Sequence, residues 1–469
     1  MASRSLPPSA FVVVLAALLW LSPGAPRTPA AQDDPVSLVR AYWTERDNEA
    51  RSALARRIAS HPDYRPSRLR DWLHGGVPFE EMPPGTATMT VESEPGASRQ
   101  ITLILPDGYR RDRAWPLVYA LHPSGEPADK WAEQVRHMLG RRASEIVIAS
   151  PEYRRNYIAA TPPFVAEHAV VLDAVARRVH VDANRVYAFG YSRGGFAAWY
   201  AGVFFADRFA GVIALAAGFD VAPGPDGFWA HLAGNVAHVP VLNAWGEKDP
   251  LVIRDLAENP AGTFAESNRW FTQALRGMDL PVTNIEVVGG LHNQLMPPGE
   301  AIVDILNRRR VVDPRRVGHV FRHLHQASSY WLEGLSWVGD AWSDPWPKPA
   351  PAQPGESEAA VLARTLEPLL GRLTGARDGQ TIRVTSRHIG DLVVWLGERS
   401  VNWDQPVAVE RDGKVVFSGK LAPDAGLALA RAKATMDFER LVFAGIRVDA
   451  SGEASVVTAA SMPEPAWKR

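Results

Sequence analysis

The hexapeptide Gly190-Tyr191-Ser192-Arg193-Gly194-Gly195 has the residue types needed to present a nucleophilic serine. It follows the apolar run RVYAFG, a predicted strand, and precedes FAAWYAG, a predicted helix. Glycines two positions before and after the serine remove Cβ atoms that would collide in so sharp a turn. The serine oxygen would lie at the carboxyl edge of a sheet, near the N–H groups of the first helical turn. This pattern predicts a nucleophilic Ser192, and the alternative is a glycine-rich turn with an incidental serine.

A serine needs a base to lose its proton at neutral pH, and histidine is the usual one. In folds where the nucleophilic serine lies in such a strand-to-helix turn, the serine is followed along the chain by an acid and then by the histidine. Among 13 histidines His292 fits best, because GGLHNQ lies between a predicted strand and a predicted helix. Asp249 in GEKDP directly follows the predicted strand PVLNAWG and would hold the imidazole, with Glu247 and Asp220 as weaker candidates.

The developing oxyanion of an acyl transfer needs two hydrogen-bond donors. One is the backbone N–H of Arg193, directly after the serine. The other is expected from the loop that follows the predicted strand LVYALH. Pro123 in that loop has no N–H, so Ser124 is the predicted donor and Gly125 the second choice.

Substrate contacts are expected from the residues that flank these positions, which are Tyr191, Trp245 and Leu291. Aromatic residues at such places also pack between sheet and helix, so this role stays open. Residues 218–240 could form a small cap.

Three histidines form the pattern H-x3-H-x-H at His319, His323 and His325. Neither a helix nor a strand brings all three together, and no metal site is predicted. The sequence also has no glycine-rich phosphate loop or dinucleotide fingerprint, so no cofactor is expected.

The elements around these motifs indicate an α/β fold. From residue 115 apolar strands alternate with helices up to 310, which is typical of a mostly parallel sheet with both faces covered. The predicted organisation is a signal peptide (1–31), an N-terminal helical segment (32–83), the catalytic domain (84–310) and a mainly β accessory domain (311–460) with one helix near LARTLEPLLGRL. The Pro-rich connection 345–358 and the C-terminal tail SMPEPAWKR are predicted to be exposed and loose.

Composition excludes several classes of protein. The formal net charge is -1, whereas a nucleic-acid binder would show a strong positive excess. With no cysteine, the chain has no disulfide, no thiolate metal site and no cysteine nucleophile.

Arg4 and the short apolar run 10–21 predict a signal peptide, with an uncleaved anchor as the alternative. The mature chain is expected to be secreted or periplasmic, without a membrane span.

Together LHPSG, DANRVYAFGYSRGG, GEKDP and GGLHNQ resemble the α/β-hydrolase superfamily over residues 84–310. Within it the chain is most similar to secreted serine esterases related to polyhydroxyalkanoate depolymerases and feruloyl or acetyl-xylan esterases. The resemblance implies Ser192 as nucleophile, Asp249 as acid and His292 as base, acting on a small-molecule or polymer ester. Pro123 replaces the usual glycine, which leaves the second oxyanion donor open.

The same residues are compatible with two other functions. The doubled Gly194-Gly195 also occurs in prolyl oligopeptidase-like serine peptidases, which use the same triad. The other is a non-catalytic polymer-binding protein on a hydrolase scaffold, with Trp395 and Trp403 available for sugar stacking unless they belong to the core. The oligomeric state does not follow from the sequence.

Overall fold

The computed structural model describes residues 34–94, 97–153, 162–218, 232–251, 263–339, 350–356 and 358–469. The predicted signal peptide, most of the segment 218–240 with Asp220, and residues 345–349 and 357 of the Pro-rich connection lie outside the described residues. None of the helices in this part of the chain has both the length and the apolar character needed to span a bilayer.

The helices of the described ranges are numbered in chain order. They are α1 (Pro35–Thr44), α2 (Asn48–Ala59), α3 (Pro66–Gly76), α4 (Ala128–Leu139), α5 (Pro162–Arg178), α6 (Arg193–Phe204), α7 (Phe264–Ala274), α8 (Gly299–Leu306), α9 (Glu358–Leu366) and α10 (Ala425–Thr435). The first three correspond to the predicted N-terminal helical segment. Their apolar side chains share one buried cluster with α10, so the N-terminal helices and a helix of the C-terminal region pack in one core.

A central eight-stranded sheet carries the chemistry-bearing motifs. Its strands are β1 (Gly85–Glu94), β2 (Ala97–Leu105), β3 (Trp115–Leu121), β4 (Val147–Pro151), β5 (Val181–Tyr191), β6 (Gly211–Leu215), β7 (Val241–Gly246) and β8 (Val282–Val287). Their spatial order is β1-β2-β4-β3-β5-β6-β7-β8. Strand β2 runs antiparallel to both of its neighbours, β1 and β4, and β3 to β8 run parallel to one another. The predicted fold class, an α/β-hydrolase fold, is confirmed.

Both faces of this sheet are covered, which explains why β3, β4, β6 and β7 are buried along their whole length. Helices α5, α6 and α7 contribute to the apolar layer on one face. Helices α4 and α8 contribute to the layer on the other. Continuous apolar runs in these strands follow from this double burial, and they are the pattern that predicts the sheet from the sequence.

The remaining strands form two further sheets of five strands each. They are β9 (Arg316–Phe321), β10 (Ser328–Ser329), β11 (Leu332–Gly334), β12 (Gly371–Asp378), β13 (Thr381–Arg387), β14 (Leu392–Gly397), β15 (Val407–Arg411), β16 (Lys414–Gly419), β17 (Val442–Val448) and β18 (Ala454–Val457). One sheet has the order β10-β11-β14-β17-β18 and the other β16-β15-β13-β12-β9, and their strands share one apolar cluster. This region is mainly β, as expected, but the sequence reading missed α10. The signal was Asp424, whose carboxylate accepts from the N–H groups of Gly426 and Leu427 and caps that helix.

The C-terminal tail is not loose, and that prediction is wrong. Ala466 is fully buried, and the guanidinium of Arg208 lies 3.7 Å from the ring centre of Trp467. Arg469 donates at 2.9 Å to Glu333, a fully buried carboxylate that also accepts at 2.7 Å from Arg431. A buried charge needs such partners, and the tail supplies one of them.

Candidate active site

Ser192 occupies a strained turn between β5 and α6. Its φ of 51° and ψ of -121° lie in a region that side chains with a Cβ rarely adopt. A Cβ on Gly190 would lie 1.9 Å from the carbonyl oxygen of Gly194, and a Cβ on Gly194 would lie 1.9 Å from that of Leu121. Both glycines are therefore required by contacts with rigid backbone, as their spacing around the serine indicates.

Ser192, His292 and Asp249 form a continuous hydrogen-bonded chain. The Oγ of Ser192 lies 2.9 Å from Nε2 of His292, and Nδ1 of His292 lies 2.6 Å from Oδ2 of Asp249. Asp249 is buried, and its Oδ1 accepts at 3.1 Å from the N–H of Leu251. The three side chains follow β5, β7 and β8, whose carboxyl ends share one edge of the sheet. The structure thus brings together the three residues that the sequence predicts as a triad.

The loops that carry the acid and the histidine are joined by main-chain contacts. A Cβ on Gly246 would lie 2.4 Å from the carbonyl oxygen of Gly290, so glycine permits this close approach. Lys248 N–H donates to the Gly290 carbonyl at 2.9 Å. Glu247, the rival acid, instead accepts from the Gly289 N–H at 2.7 Å. Glu247 therefore stabilises the histidine loop from outside, whereas Asp249 contacts the imidazole.

The predicted oxyanion donors lie on two separate elements. Arg193 is the first residue of α6, where backbone N–H groups point toward the helix N-terminus. Ser124 lies in an exposed turn, in which buried His122 donates from Nδ1 to the Pro123 carbonyl at 2.8 Å while its Nε2 accepts from the Tyr153 N–H. In a trans peptide the Ser124 N–H points opposite to the Pro123 carbonyl, so His122 fixes its direction.

Ser192 and His292 open into a cleft of about 1040 Å³. Most side chains of its described walls are apolar or neutral and polar. The apolar and aromatic ones are Trp131, Met138, Tyr191, Leu251, Leu295 and Met296, and the polar ones are Ser124, Gln134, Asn293 and Gln294. Glu126 and His137 also line the cleft. Helix α4 supplies four of these residues, and the sequence reading missed it. Its signal was an amphipathic run, ADKWAEQVRHML, directly after the predicted oxyanion loop.

The three predicted substrate contacts have different positions. Tyr191 lines the cleft, and its hydroxyl donates to the main-chain carbonyl of His292. Trp245 is only 3% exposed in β7 and is not among the residues of the cleft wall, because β7 is buried along its whole length. Leu291 is exposed beside His292 but does not line the cleft either. Trp245 is therefore a core residue, and Leu291 lies at the surface outside the described wall of this cleft.

The histidine pattern near residue 320 serves packing. His319 Nε2 lies 2.7 Å from the Gln326 carbonyl, while the rings of His323 and His325 stack with centres 5.5 Å apart. Burial lowers the pKa of His323 and of His325 to about 4, so both rings are neutral near pH 7. Within the described ranges, His, Asp and Glu side chains form no group of three that could hold a metal ion.

Of the two tryptophans considered for sugar stacking, Trp395 belongs to the apolar core between the C-terminal sheets and Trp403 is half-buried against it. Trp395 is 2% exposed and donates from Nε1 to Glu333 at 2.9 Å. Trp403 packs against the same cluster and donates to the Glu398 carbonyl at 2.8 Å. Trp395 therefore has no open face for a ligand, as expected from the core interpretation.

No protein-family model and no curated protein matches this chain. Solved structures match over about half of it. A thermostable esterase is 21% identical, covers 48% of this chain and 63% of its own, and has a TM-score of 0.38. A ferulic acid esterase from Anaeromyces mucronatus is 18% identical over 49% of this chain and 92% of its own, at a TM-score of 0.36. Poly(aspartic acid) hydrolase-1 from Sphingomonas sp. KT-1 is 14% identical over 48% of this chain and 99% of its own, at a TM-score of 0.39.

Function does not follow from similarity at these levels of identity. The assignment of the fold rests instead on the strand order of the central sheet and on the turn at Ser192 between two glycines. These two features are the ones that define an α/β-hydrolase.

Proposed function

We propose that this chain is a serine hydrolase that cleaves carboxylic esters through an acyl-enzyme. The observation that carries the proposal is the unbroken hydrogen-bonded chain from Asp249 through His292 to Ser192 at the wall of an open cleft. A serine with an imidazole at 2.9 Å, itself held by a buried carboxylate, has the arrangement that activates a hydroxyl for attack on a carbonyl.

In the first half of the reaction His292 Nε2 takes the proton of Ser192 as Oγ attacks the ester carbonyl carbon. Asp249 accepts the Nδ1–H and stabilises the imidazolium that forms. The oxyanion is bound by the backbone N–H of Arg193 and that of Ser124. Collapse of the tetrahedral intermediate breaks the bond to the alcohol, which leaves with the proton from Nε2.

In the second half water replaces the alcohol. His292 takes a proton from the water as the water oxygen attacks the acyl carbon. Nε2 then returns a proton to Ser192 as the carboxylic acid product is released. Each step uses only the hydroxyl, the imidazole, the carboxylate and backbone N–H groups. No cofactor takes part in this scheme.

The cleft supports a neutral ester with an apolar or aromatic group. Its volume is at the upper end of the range for small-molecule sites, roughly 300–1,000 Å³. One wall offers Tyr191 and Met138, with the buried ring of Trp131 behind Tyr191, and Leu251 and Met296 are exposed. A small ester, or one end of a polymer, fits such an open apolar cleft.

We also propose export of the mature chain, to the periplasm or the medium. The support is the charged start and short apolar run of residues 1–31, together with the complete lack of cysteine, which leaves no thiol to be oxidised outside the cytoplasm. N-terminal sequencing of the chain recovered from the periplasm or medium tests this, and a chain that stays in the cytoplasm would contradict it.

The catalytic proposal is tested with p-nitrophenyl butyrate, the matched butyryl p-nitroanilide and a fluorophosphonate probe. We expect ester hydrolysis and labelling of Ser192 in the wild type, and loss of both in Ser192→Ala. Ser144→Ala, at an exposed serine whose hydroxyl donates to the Arg141 carbonyl, is the matched control and keeps both. A folded wild type that neither hydrolyses the ester nor takes the label refutes the proposal. Faster cleavage of the anilide than of the ester would favour a peptidase.

A further inference from the structure

Tyr191 connects the nucleophile strand directly with the loop that carries the base. It is the last residue of β5 and the residue before Ser192, and its hydroxyl donates to the main-chain carbonyl of His292. The two residues are 101 positions apart in the sequence. Tyr191 therefore links the two catalytic residues, through its peptide bond to Ser192 and through the hydrogen bond of its hydroxyl to the main chain of His292.

The loop that Tyr191 contacts is largely exposed, and the Glu247 carboxylate accepts from its Gly289 N–H at 2.7 Å. It spans residues 288–298 between β8 and α8, and Val288 and Leu291 in it are 87% and 42% exposed. Its inner side is held by the Gly290 contacts described above. A loop this exposed moves easily, and a displacement of about 1 Å at a catalytic group can reduce a rate by about 100-fold.

Aromatic rings from both layers of the sheet contact the imidazole. The ring of Tyr191 lies 6.3 Å from that of His292 at an interplanar angle of 73°, and Trp131 of α4 lies 6.1 Å from Tyr191. Phe264 lies 5.3 Å from His292 and contacts Phe196 of α6. These ring contacts, edge-to-face from Tyr191 and tilted from Phe264, restrict the tilt of the imidazole, whereas the hydroxyl of Tyr191 fixes the backbone that carries it.

We propose that Tyr191 is a positioning residue, whose hydroxyl holds the His292 backbone so that Nε2 stays within hydrogen-bond distance of Ser192. The inference rests on the proposed function. Burial raises the pKa of the Tyr191 hydroxyl above its ordinary value, so the group stays a donor at neutral and mildly alkaline pH. Tyr191 thus acts through His292, and its ring forms part of the cleft wall as well.

The test compares Tyr191→Phe with Tyr187→Phe. Tyr187 lies in the same strand, and its hydroxyl also donates to main-chain carbonyls, those of Leu306 and Arg308 at 2.8 Å, outside the active-site cleft. With p-nitrophenyl acetate we expect kcat to fall on the order of 10-fold in Tyr191→Phe, with KM unchanged within about twofold. In Tyr187→Phe both constants stay at their wild-type values. The rate of fluorophosphonate labelling falls with kcat.

A second readout does not depend on catalysis. Hydrogen exchange of the backbone amides in residues 288–298 is expected to accelerate about 2- to 10-fold in Tyr191→Phe, the range for the loss of one hydrogen bond, and to stay unchanged in Tyr187→Phe. Unaltered exchange in Tyr191→Phe overturns the proposal, and so does a kcat within twofold of the wild type. A raised KM with an unchanged kcat overturns it too, because Tyr191 would then be a substrate contact. A wild type without esterase activity refutes the proposed function instead, and the exchange measurement then decides on the loop anchor alone.

Discussion

Asp249 has two carboxylate oxygens with different partners, and this difference makes Asp249→Asn an informative change. Oδ2 accepts from His292 Nδ1 at 2.6 Å, and Oδ1 accepts from the Leu251 N–H at 3.1 Å. Asparagine keeps the shape but replaces one oxygen with an NH2 donor. Because the Leu251 N–H can donate only to an oxygen, the amide oxygen takes the Oδ1 position and the NH2 faces the imidazole.

An NH2 that faces Nδ1 selects the wrong tautomer of His292. Nδ1 must then be the acceptor, so the proton resides on Nε2 and points at the Oγ of Ser192. In this state Nε2 cannot take the serine proton. The cost of this tautomer in serine proteases is about 10⁴-fold in kcat, which corresponds to about 5.5 kcal/mol of transition-state stabilisation. We expect a loss of that order in Asp249→Asn.

The assay is kcat for p-nitrophenyl butyrate near neutral pH, with thermal unfolding of each variant to confirm that it is folded. Glu247→Gln is the matched control: the Glu247 side chain accepts from the Gly289 N–H at 2.7 Å, and a glutamine oxygen can accept there as well. Its kcat should stay within about threefold of the wild type. A folded Asp249→Asn variant that retains more than about one tenth of the wild-type kcat would refute the tautomer reasoning.

Three further changes test other parts of the structure. In Gly194→Ala the new Cβ meets the Leu121 carbonyl oxygen at 1.9 Å, so the turn must move and kcat should fall about 100-fold or more; an unchanged kcat would contradict this. Glu333→Gln leaves Arg431 and Arg469 without their buried counter-charge, so the free energy of unfolding in urea should fall by about 3–5 kcal/mol. A fall below about 1 kcal/mol would contradict a stabilising role for these two ion pairs. Because burial lowers the pKa of His325 to about 4 from 6.5, the unfolded chain binds the proton first, and stability is lost as the pH falls from 6.5 toward 4. His325→Asn should make this decline less steep, and an unaltered pH dependence would contradict the assignment.

The turn at Ser192 could be predicted from the sequence because the strand, the two glycines and the helix follow one another directly in the chain. Gly190 and Gly194 are needed where the backbone of one segment folds onto itself and onto β3, and the adjoining strand and helix are each visible as apolar runs. The positions of Asp249 and His292 follow from a similar rule, since each comes directly after a strand of a parallel sheet. Carboxyl ends of such strands share an edge, so chain order was enough to select these residues.

Contacts between distant segments could not be read in this way. Trp245 is close in the chain to Asp249, yet its side chain is buried within β7. Arg469 ends a polar, Pro-containing stretch that resembles a loose tail, but it reaches the buried carboxylate of Glu333. The alternation of apolar and polar residues predicts that a side chain is buried, but it does not predict which segment packs against it.

The sequence by itself determined the sheet, the strained serine turn and the identity of the three side chains at its edge, because strand periodicity and glycine spacing act over a few residues. Only the tertiary structure decided that the Tyr191 hydroxyl binds the His292 backbone, that α4 forms a wall of the cleft and that α10 packs with the N-terminal helices. Such pairings depend on the complementary shape and charge of segments that are far apart in the chain, and these exist only once the chain has folded.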